Sequence, residues 1–316
     1  MKSPFFSVII PVFNREKRLP KALESLKNQS CQDFETIIID DCSTDDSYNV
    51  ALKYPLKNKR LLKNNVNSER CKTRNKGILV SKGLFICFLD SDDYHLSDHL
   101  EKLKKFITEN GKKKAFYFTN SLNETEEGVR SKRLNPKIQN KNIYAFLLMH
   151  TINPQRWSVH NEVMKNCLFD DNINICEDLD VSLRIARKKI PFLQLNEETT
   201  IYVNASDSFT QSDPRKNERE YECYQKIFER KELKRVLPTR SKNRLLSKCH
   251  YFFALKADTQ RQKYKVLWHA FISFCLYPKS YNGTANKVLF VTFIYNLPLF
   301  GHLVKKTIQL LKNVSH

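Results

Sequence analysis

Three acidic clusters carry the residue types that could do chemistry: Asp40-Asp41-Cys42-Ser43-Thr44-Asp45-Asp46, Asp90-Ser91-Asp92-Asp93 and Glu177-Asp178-Leu179-Asp180. In the second, three carboxylates within four residues repel one another unless a cation sits among them. Oxygen-only donors suit Mg²⁺ or Mn²⁺, and an ion held by one or two carboxylates completes its shell with substrate phosphates. The cluster therefore points to a divalent ion and a pyrophosphate. The plainer reading is a solvated turn in which Asp93 or Ser97 caps the next helix. In the first cluster Asp45 and Asp46 read as helix-capping residues. Capping does not account for Asp40 and Asp41, which follow Ile37-Ile38-Ile39 directly and could accept bonds from a ribose or a base. In the third, a helix N-terminus keeps carboxylates ionised, and an ionised carboxylate beside a reacting hydroxyl is a general base. Ordinary N-terminal helix charge is the commoner cause of such a cluster.

The elements that must position these residues alternate. Residues 7–12, 36–39 and 84–89 read as buried strands, being β-branched or aromatic and ended by turn residues. Residues 15–28 read as a helix with Asn14 as its cap, starting a residue or two late because of Pro20. Helices over 45–54, capped by Ser43 or Thr44, and 69–81 follow, with a less regular stretch between them. Strand–helix alternation predicts an α/β fold with a parallel sheet covered by helices on both faces. Ligands bind such sheets at the carboxyl ends of the strands, where the first two clusters lie. Residues 112–140 suggest mixed strand and loop, 142–150 a short helix, and Glu177 the start of another. Two short strands are expected after Pro191, and a domain boundary at Asp213-Pro214.

The chain has 316 residues, 41% apolar, with 21 Phe, 13 Tyr and only 6 Gly. It can bury a large core, and it lacks a glycine-rich loop to cradle a phosphate. Nine cysteines with no CxxC pair argue against a zinc site or a disulfide framework and suit a reducing cytosol. The apolar start runs into Asn14-Arg15 without a small-residue cleavage site, so a buried strand fits better than a signal peptide. The net charge of +20 is uneven: residues 215–316 hold 21 Lys/Arg against 6 Asp/Glu, and no acidic residue follows Asp258. This basic region is expected to be helical. Its apolar stretches, 266–277 and 288–304, are too short or interrupted to span a bilayer, and their flanking lysines suit an in-plane anchor on an anionic membrane. Packing on the catalytic domain or a dimer interface is the alternative. Nucleic acid is disfavoured: no recognition module is present, and the acidic clusters repel a phosphate backbone.

Together the motifs resemble the family 2 glycosyltransferases, inverting enzymes of the GT-A fold, over residues 7–210. The signs are Ser7-Val8-Ile9-Ile10-Pro11-Val12-Phe13-Asn14, Ile39-Asp40-Asp41 with the residues to Asp45, Asn67 with Thr73-Arg74-Asn75-Lys76-Gly77, Phe88-Leu89-Asp90-Ser91-Asp92-Asp93, and Glu177-Asp178 with the residues to Arg184. The resemblance implies a Rossmann-like, mainly parallel sheet with flanking helices over residues 1–212, then a helical region, 213–316. It implies that Pro11, Asp40 and Asp41 line the base and ribose pocket. Asn67 and Arg74 would reach the nucleotide, Asp90 and Ser91 the ribose side, and Asp92 would hold Mn²⁺ or Mg²⁺. Asp178 would be the catalytic base, with Glu177 beside it in the acceptor pocket. The implied donor is a nucleotide-sugar, UDP-linked by default. The acceptor would be a glycan or lipid-linked hydroxyl of cell-surface polysaccharide synthesis, at the inner face of the cell membrane. The sequence departs from the family where Gly is usual (Glu69) and where Ala is usual (Thr73), and it has no His in 203–208. The competing classes are a non-catalytic membrane- or polyanion-binding protein on the same scaffold and a nucleotidyltransferase. The first conflicts with the presence of both Asp92 and Asp178, and the second would want a glycine-rich phosphate loop.

Overall fold

In a computed structural model the described residues are 3–125, 127–132, 136–138, 142–173, 175–204 and 213–277. Near-continuous apolar runs make strands that are buried on both faces. β1 (Phe6–Val12), β2 (Phe34–Asp40) and β4 (Phe85–Phe88) are such runs. β3 (Lys59–Lys63) is half-buried and charged at both ends, as an edge strand can be. These four lie parallel in the order β3-β2-β1-β4, with Ile9 opposite both Ile37 and Phe88. The chain runs outward from β1 through β2 to β3, then returns to β4 on the other side. β1 is therefore the switch point, and the carboxyl ends of β1, β2 and β4 open one crevice.

The sheet continues β8-β6-β9-β5 and becomes mixed. β8 (Trp157–His160) pairs antiparallel with β4 and with β6 (Phe116–Thr125). β9 (Phe192–Asn204) runs parallel to β6, and β5 (Tyr94–His95) pairs antiparallel with β9. β7 (Arg130–Lys132) hangs on β6. The parallel sheet expected from the strand–helix alternation is thus met in the half that carries the first two clusters. In place of two short strands after Pro191 there is one long strand, irregular in register around Asn120.

Helix α1 (Leu19–Lys27) buries Leu19, Leu23 and Leu26. It begins at Pro20's first turn, later than expected, and Asn14 does not cap it. Asn14 lies at φ 52° and turns its side chain to the next loop. α2 (Ser47–Lys53) follows β2, and α3 (Glu69–Val80) packs across β1 and β2. The approach of α3 depends on Gly77: a Cβ there would lie 2.5 Å from Ile9 Cγ2 and 3.0 Å from Ile39 Cδ1. Only glycine lets the helix lie this low on the sheet. α4 (His99–Glu109) starts after Asp98, so neither Asp93 nor Ser97 is its cap. α5 (Ile143–Met149), α6 (Asn161–Lys165) and α7 (Glu177–Arg187) complete the first unit's described helices. The nine cysteines, all among the described residues, form no disulfide.

The chain divides into two compact units after Pro214, with residues 231–233 belonging to the first. The second contains α8 (Lys216–Glu229), α10 (Thr239–Thr259) and α11 (Lys263–Leu276); the short α9 (Lys231–Lys234) lies at the division. Among the described residues no helix is long and apolar enough to cross a membrane. The stretch 288–304 lies outside the described residues.

Candidate active site

The first cluster closes the crevice on the β2 side. The Asp41 N–H donates to the Val12 carbonyl at 2.8 Å, which carries the β1–β2 ladder one residue further. Its buried carboxylate accepts from Asn64 Nδ2 at 2.7 Å and from the Ser68 N–H at 2.9 Å. Asp41 thereby ties the end of β2 to the loop that leads into α3. Asp40 is buried; one oxygen accepts from the Ser43 N–H at 3.3 Å and Oδ1 has no donor. A buried carboxylate oxygen left this way is costly.

The β1–α1 and β2–α2 loops are laced together beside the half-buried Pro11. Asn14 Oδ1 accepts from the Thr44 N–H at 2.8 Å, and the Arg15 N–H donates to Ser47 Oγ at 2.7 Å. The Glu16 N–H donates to Asp45 Oδ2 at 3.1 Å, while Glu16 accepts from the Asp46 N–H at 3.0 Å. Asp45 Oδ1 also takes the Ser47 N–H at 3.0 Å, so Asp45, rather than Ser43 or Thr44, serves the start of α2. Asn67 is exposed, and its Oδ1 accepts the Glu69 N–H at 3.1 Å, a local bond at the start of α3.

Arg74 joins the second and third clusters. Lifted from α3 into the crevice, it is 3% exposed. Nη2 donates to Asp90 Oδ1 at 2.7 Å and Nη1 to Glu177 Oε1 at 2.8 Å, with the guanidinium 5.5 Å from the Phe169 ring. The fork that could grip a diphosphate is here spent on two carboxylates. Both hold its charge firmly, raising its pKa against the opposing effect of burial, which is the largest single influence. Arg70, one helical turn before it on the same face, places Nη1 3.5 Å from the same Glu177 oxygen. Arg70 is not among the residues the motifs single out, although its four-residue spacing from Arg74 puts both on one helix face.

The departures from the family pattern have structural counterparts. Glu69 sits at φ 67°, a conformation glycine adopts without cost. Thr73 is buried, and its Oγ1 accepts from Asn64 at 3.3 Å, a hydroxyl bond that Ala could not make. Of the segment 203–208, residues 205–208 lie outside the described residues.

The third cluster opens α7 after Cys176, which at φ 59° turns the chain into the helix. Glu177 is buried against the two arginines, and Asp178 is half-buried, its Oδ1 accepting from the Leu179 N–H at 2.7 Å. Burial, then the neighbouring Glu177 charge, push the Asp178 carboxyl up to about 7, against the pull of Arg74 and Arg70. Such a group takes up a proton readily and is still ionised in large part near neutrality. Asp180 is buried and pairs with Arg184 at 2.8 Å, a bond within the helix.

Asp92 lies beyond Asp90, with Ser91 buried between them. Burial and then the Asp90 charge raise its pKa, while Arg15, whose Nε stands 3.5 Å from Asp92 Oδ2, and Arg18 lower it. No motif in the sequence marks either arginine for this role. A carboxylate destabilised by burial and a like charge fits a hard divalent cation, which relieves both effects. Among the described residues no three His, Cys, Asp or Glu side chains gather as a metal cage. A single carboxylate such as Asp92 could hold Mg²⁺ or Mn²⁺ whose shell is completed by phosphate oxygens and water. Asp93 is occupied otherwise, accepting the Val203 N–H at 2.8 Å. A shallow surface cavity beside Asp33, Glu101 and Lys104 lies where the parallel strands begin, at the opposite end from the three clusters.

Residues 7–171, just over half of the chain, match the model of the family described as Glycosyl transferase family 2. WcaA of Escherichia coli K12, a glycosyl transferase assigned to colanic acid biosynthesis, is 28% identical over 71% of this chain and 81% of its own length. A Campylobacter jejuni GalNAc(5)-diNAcBac-PP-undecaprenol beta-1,3-glucosyltransferase is 36% identical over 42% of this chain and 43% of its own length. Among solved structures, Staphylococcus aureus TarS 1–349 in complex with UDP-GlcNAc superposes with a TM-score of 0.62. That match covers 95% of this chain and 87% of the other at 21% identity, and so speaks for the fold, GT-A.

Proposed function

The chain belongs to glycosyl transferase family 2, and from that premise we propose that it moves a hexosyl or N-acetylhexosaminyl group from a UDP-sugar to a hydroxyl of a glycan or lipid-linked acceptor, inverting the anomeric carbon. The observation that carries this reading is Arg74. One buried guanidinium holds Asp90, of the cluster suited to a nucleotide diphosphate, and Glu177, the neighbour of a carboxylate suited to be the base. The donor and acceptor halves of a transfer thus share one strut.

Asp178 takes the proton of the acceptor hydroxyl as its oxygen bonds to the anomeric carbon and the bond to the diphosphate breaks. One base and no enzymic nucleophile give a single displacement, so an α-linked donor yields a β-linked product. Asp40, Asp41 and the loop beside Pro11 receive the base and ribose, with Asn67, Asp90 and Ser91 at the rim. Held by Asp92, Mn²⁺ or Mg²⁺ would supply neutralisation of the charge growing on the departing diphosphate. TarS, crystallised with UDP-GlcNAc, supports the UDP-sugar class. The Campylobacter relative, whose name gives an undecaprenol-pyrophosphate saccharide, supports a lipid-linked acceptor. We place the reaction at the inner face of the cell membrane, with the basic C-terminal region as the contact.

The test offers UDP-glucose, UDP-galactose and UDP-GlcNAc with polyprenyl-pyrophosphate saccharides and follows UDP release, then the product's anomeric configuration by NMR. Acceptor-dependent UDP release with a β-linked product is expected. An α-linked product would remove the single displacement, and an unselective hydrolysis would remove the transfer.

A further inference from the structure

Helix α11 is apolar well beyond the side it packs. Its exposed side carries Tyr264 (89% exposed), Trp268 (62%) and Phe271 (48%), followed by the exposed Cys275. At roughly 100° per residue these four positions fall within about a 60° arc. Its covered side is mixed, with Ala270 buried beside polar contacts to α10. Ser273, 3% exposed, donates from Oγ to the Ser247 carbonyl at 2.9 Å, and Ser247 Oγ donates to the Ser273 carbonyl at 2.8 Å. His269 and His250 meet through their Nδ1 atoms at 3.1 Å. The helix thus meets α10 through these hydrogen bonds as well as apolar packing, and turns its aromatic surface outward. A surface helix ordinarily turns a polar face to water, and a contiguous exposed apolar face marks an interaction surface.

We propose that the Tyr264–Trp268–Phe271 face of α11 inserts into the headgroup region of an anionic lipid bilayer. This deepens the peripheral-membrane part of the proposed function and is independent of the reaction. Two features choose a bilayer over another occupant. Trp and Tyr, with an apolar body and a polar edge, are the side chains that settle at a membrane interface. Charge is complementary as well: after Asp258 the sequence has eight Lys/Arg and no Asp or Glu. A face of this kind lies in the plane of the membrane, its rings among the acyl boundary and its lysines on anionic headgroups. An apolar protein partner would have no need of that uniform charge.

The chain carries its own reporter. It has two tryptophans, and Trp157 is fully buried, so only Trp268 can change its surroundings. The full chain is titrated with vesicles of phosphatidylcholine, with and without 30 mol% phosphatidylglycerol, while Trp emission, quenching by brominated lipid and vesicle co-sedimentation are read. Emission should move to the blue and be quenched with the anionic vesicles only, and binding should weaken steeply as salt is raised. Tyr264→Ser with Phe271→Ser should weaken co-sedimentation at least ~10-fold, since two rings leave the apolar layer, and should leave UDP affinity by calorimetry unchanged. No emission change with anionic vesicles would overturn the proposal. So would Trp268 that is already shielded from acrylamide without lipid, which would assign the face to another part of the chain or to a second copy. A failure of UDP binding in the unsubstituted chain would strike the transferase reading and leave this one standing.

Discussion

Replacing Arg74 by Met tests whether one guanidinium holds the crevice together. The side chain is 3% exposed and makes two charge-assisted hydrogen bonds, at 2.7 and 2.8 Å. Removing one partner of a buried ion pair costs about 3–5 kcal/mol, because the other charge stays behind. Here two effects push toward the lower end. Asp90 is 27% exposed and can be hydrated, and Glu177 retains Arg70 at 3.5 Å. A loss of about 3 kcal/mol is expected, roughly a 150-fold change in the folding equilibrium. Because the chain has two units, the assay should watch the first alone. Urea unfolding followed by Trp157 fluorescence in a Trp268→Phe background does so. Adding Glu177→Gln to Arg74→Met removes the stranded charge and should recover about 1 kcal/mol or more. An Arg74→Met variant within about 0.5 kcal/mol of its parent, or a double variant whose losses simply add, would refute the strut.

Asp178→Asn should slow turnover at least ~100-fold while leaving donor affinity intact, as expected for a general base; near-normal turnover removes Asp178 from that role. The same substitution should affect stability with a definite sign. The folded carboxyl sits near 7 against an ordinary 3.8, so its stabilising contribution is complete below about 4 and is lost as pH rises through 7. Asn escapes that loss, and its melting temperature should exceed the parent's at pH 8 and not at pH 4. The rate should rise with pH through about 7, and Arg70→Leu should move that limb upward while Arg70→Lys restores it; an unmoved limb would make Arg70 purely structural. Glu69→Gly should gain roughly 0.5–1 kcal/mol in urea unfolding by relieving a left-handed backbone, and a loss would show that Glu69 serves another purpose.

Much of this architecture was legible because burial writes itself into composition. The runs at β1, β2 and β4 are too apolar to be anything but central strands, and the carboxylates that end β2 and follow β4 mark the crevice. α7 was legible through its acidic first turn, whereas the close approach of α3 at Gly77 shows only in the packing. β3 was hidden because Lys-Arg-Leu-Leu-Lys at a sheet edge needs only two half-buried leucines. Asn14 misled because an N-cap and a left-handed turn residue share a residue type, and only the contact with Thr44 separates them. The partners of the site residues were the least legible. That Arg74 spans Asp90 and Glu177, or that Arg15 stands beside Asp92, depends on elements far apart in sequence. The outward aromatic face of α11 is likewise a matter of which side packs, which composition alone does not record.

A metal-assisted nucleotide-sugar site at the ends of β1, β2 and β4 should bind its nucleotide whether or not an acceptor is present. A thermal-shift panel of UDP, GDP, CMP and dTDP, with and without Mn²⁺, reads it without knowledge of the acceptor, since a ligand that binds only the folded chain raises its melting point. A shift with UDP that requires Mn²⁺ and disappears in Asp92→Ala is expected. No shift with any nucleotide in the presence of Mn²⁺ would contradict the account.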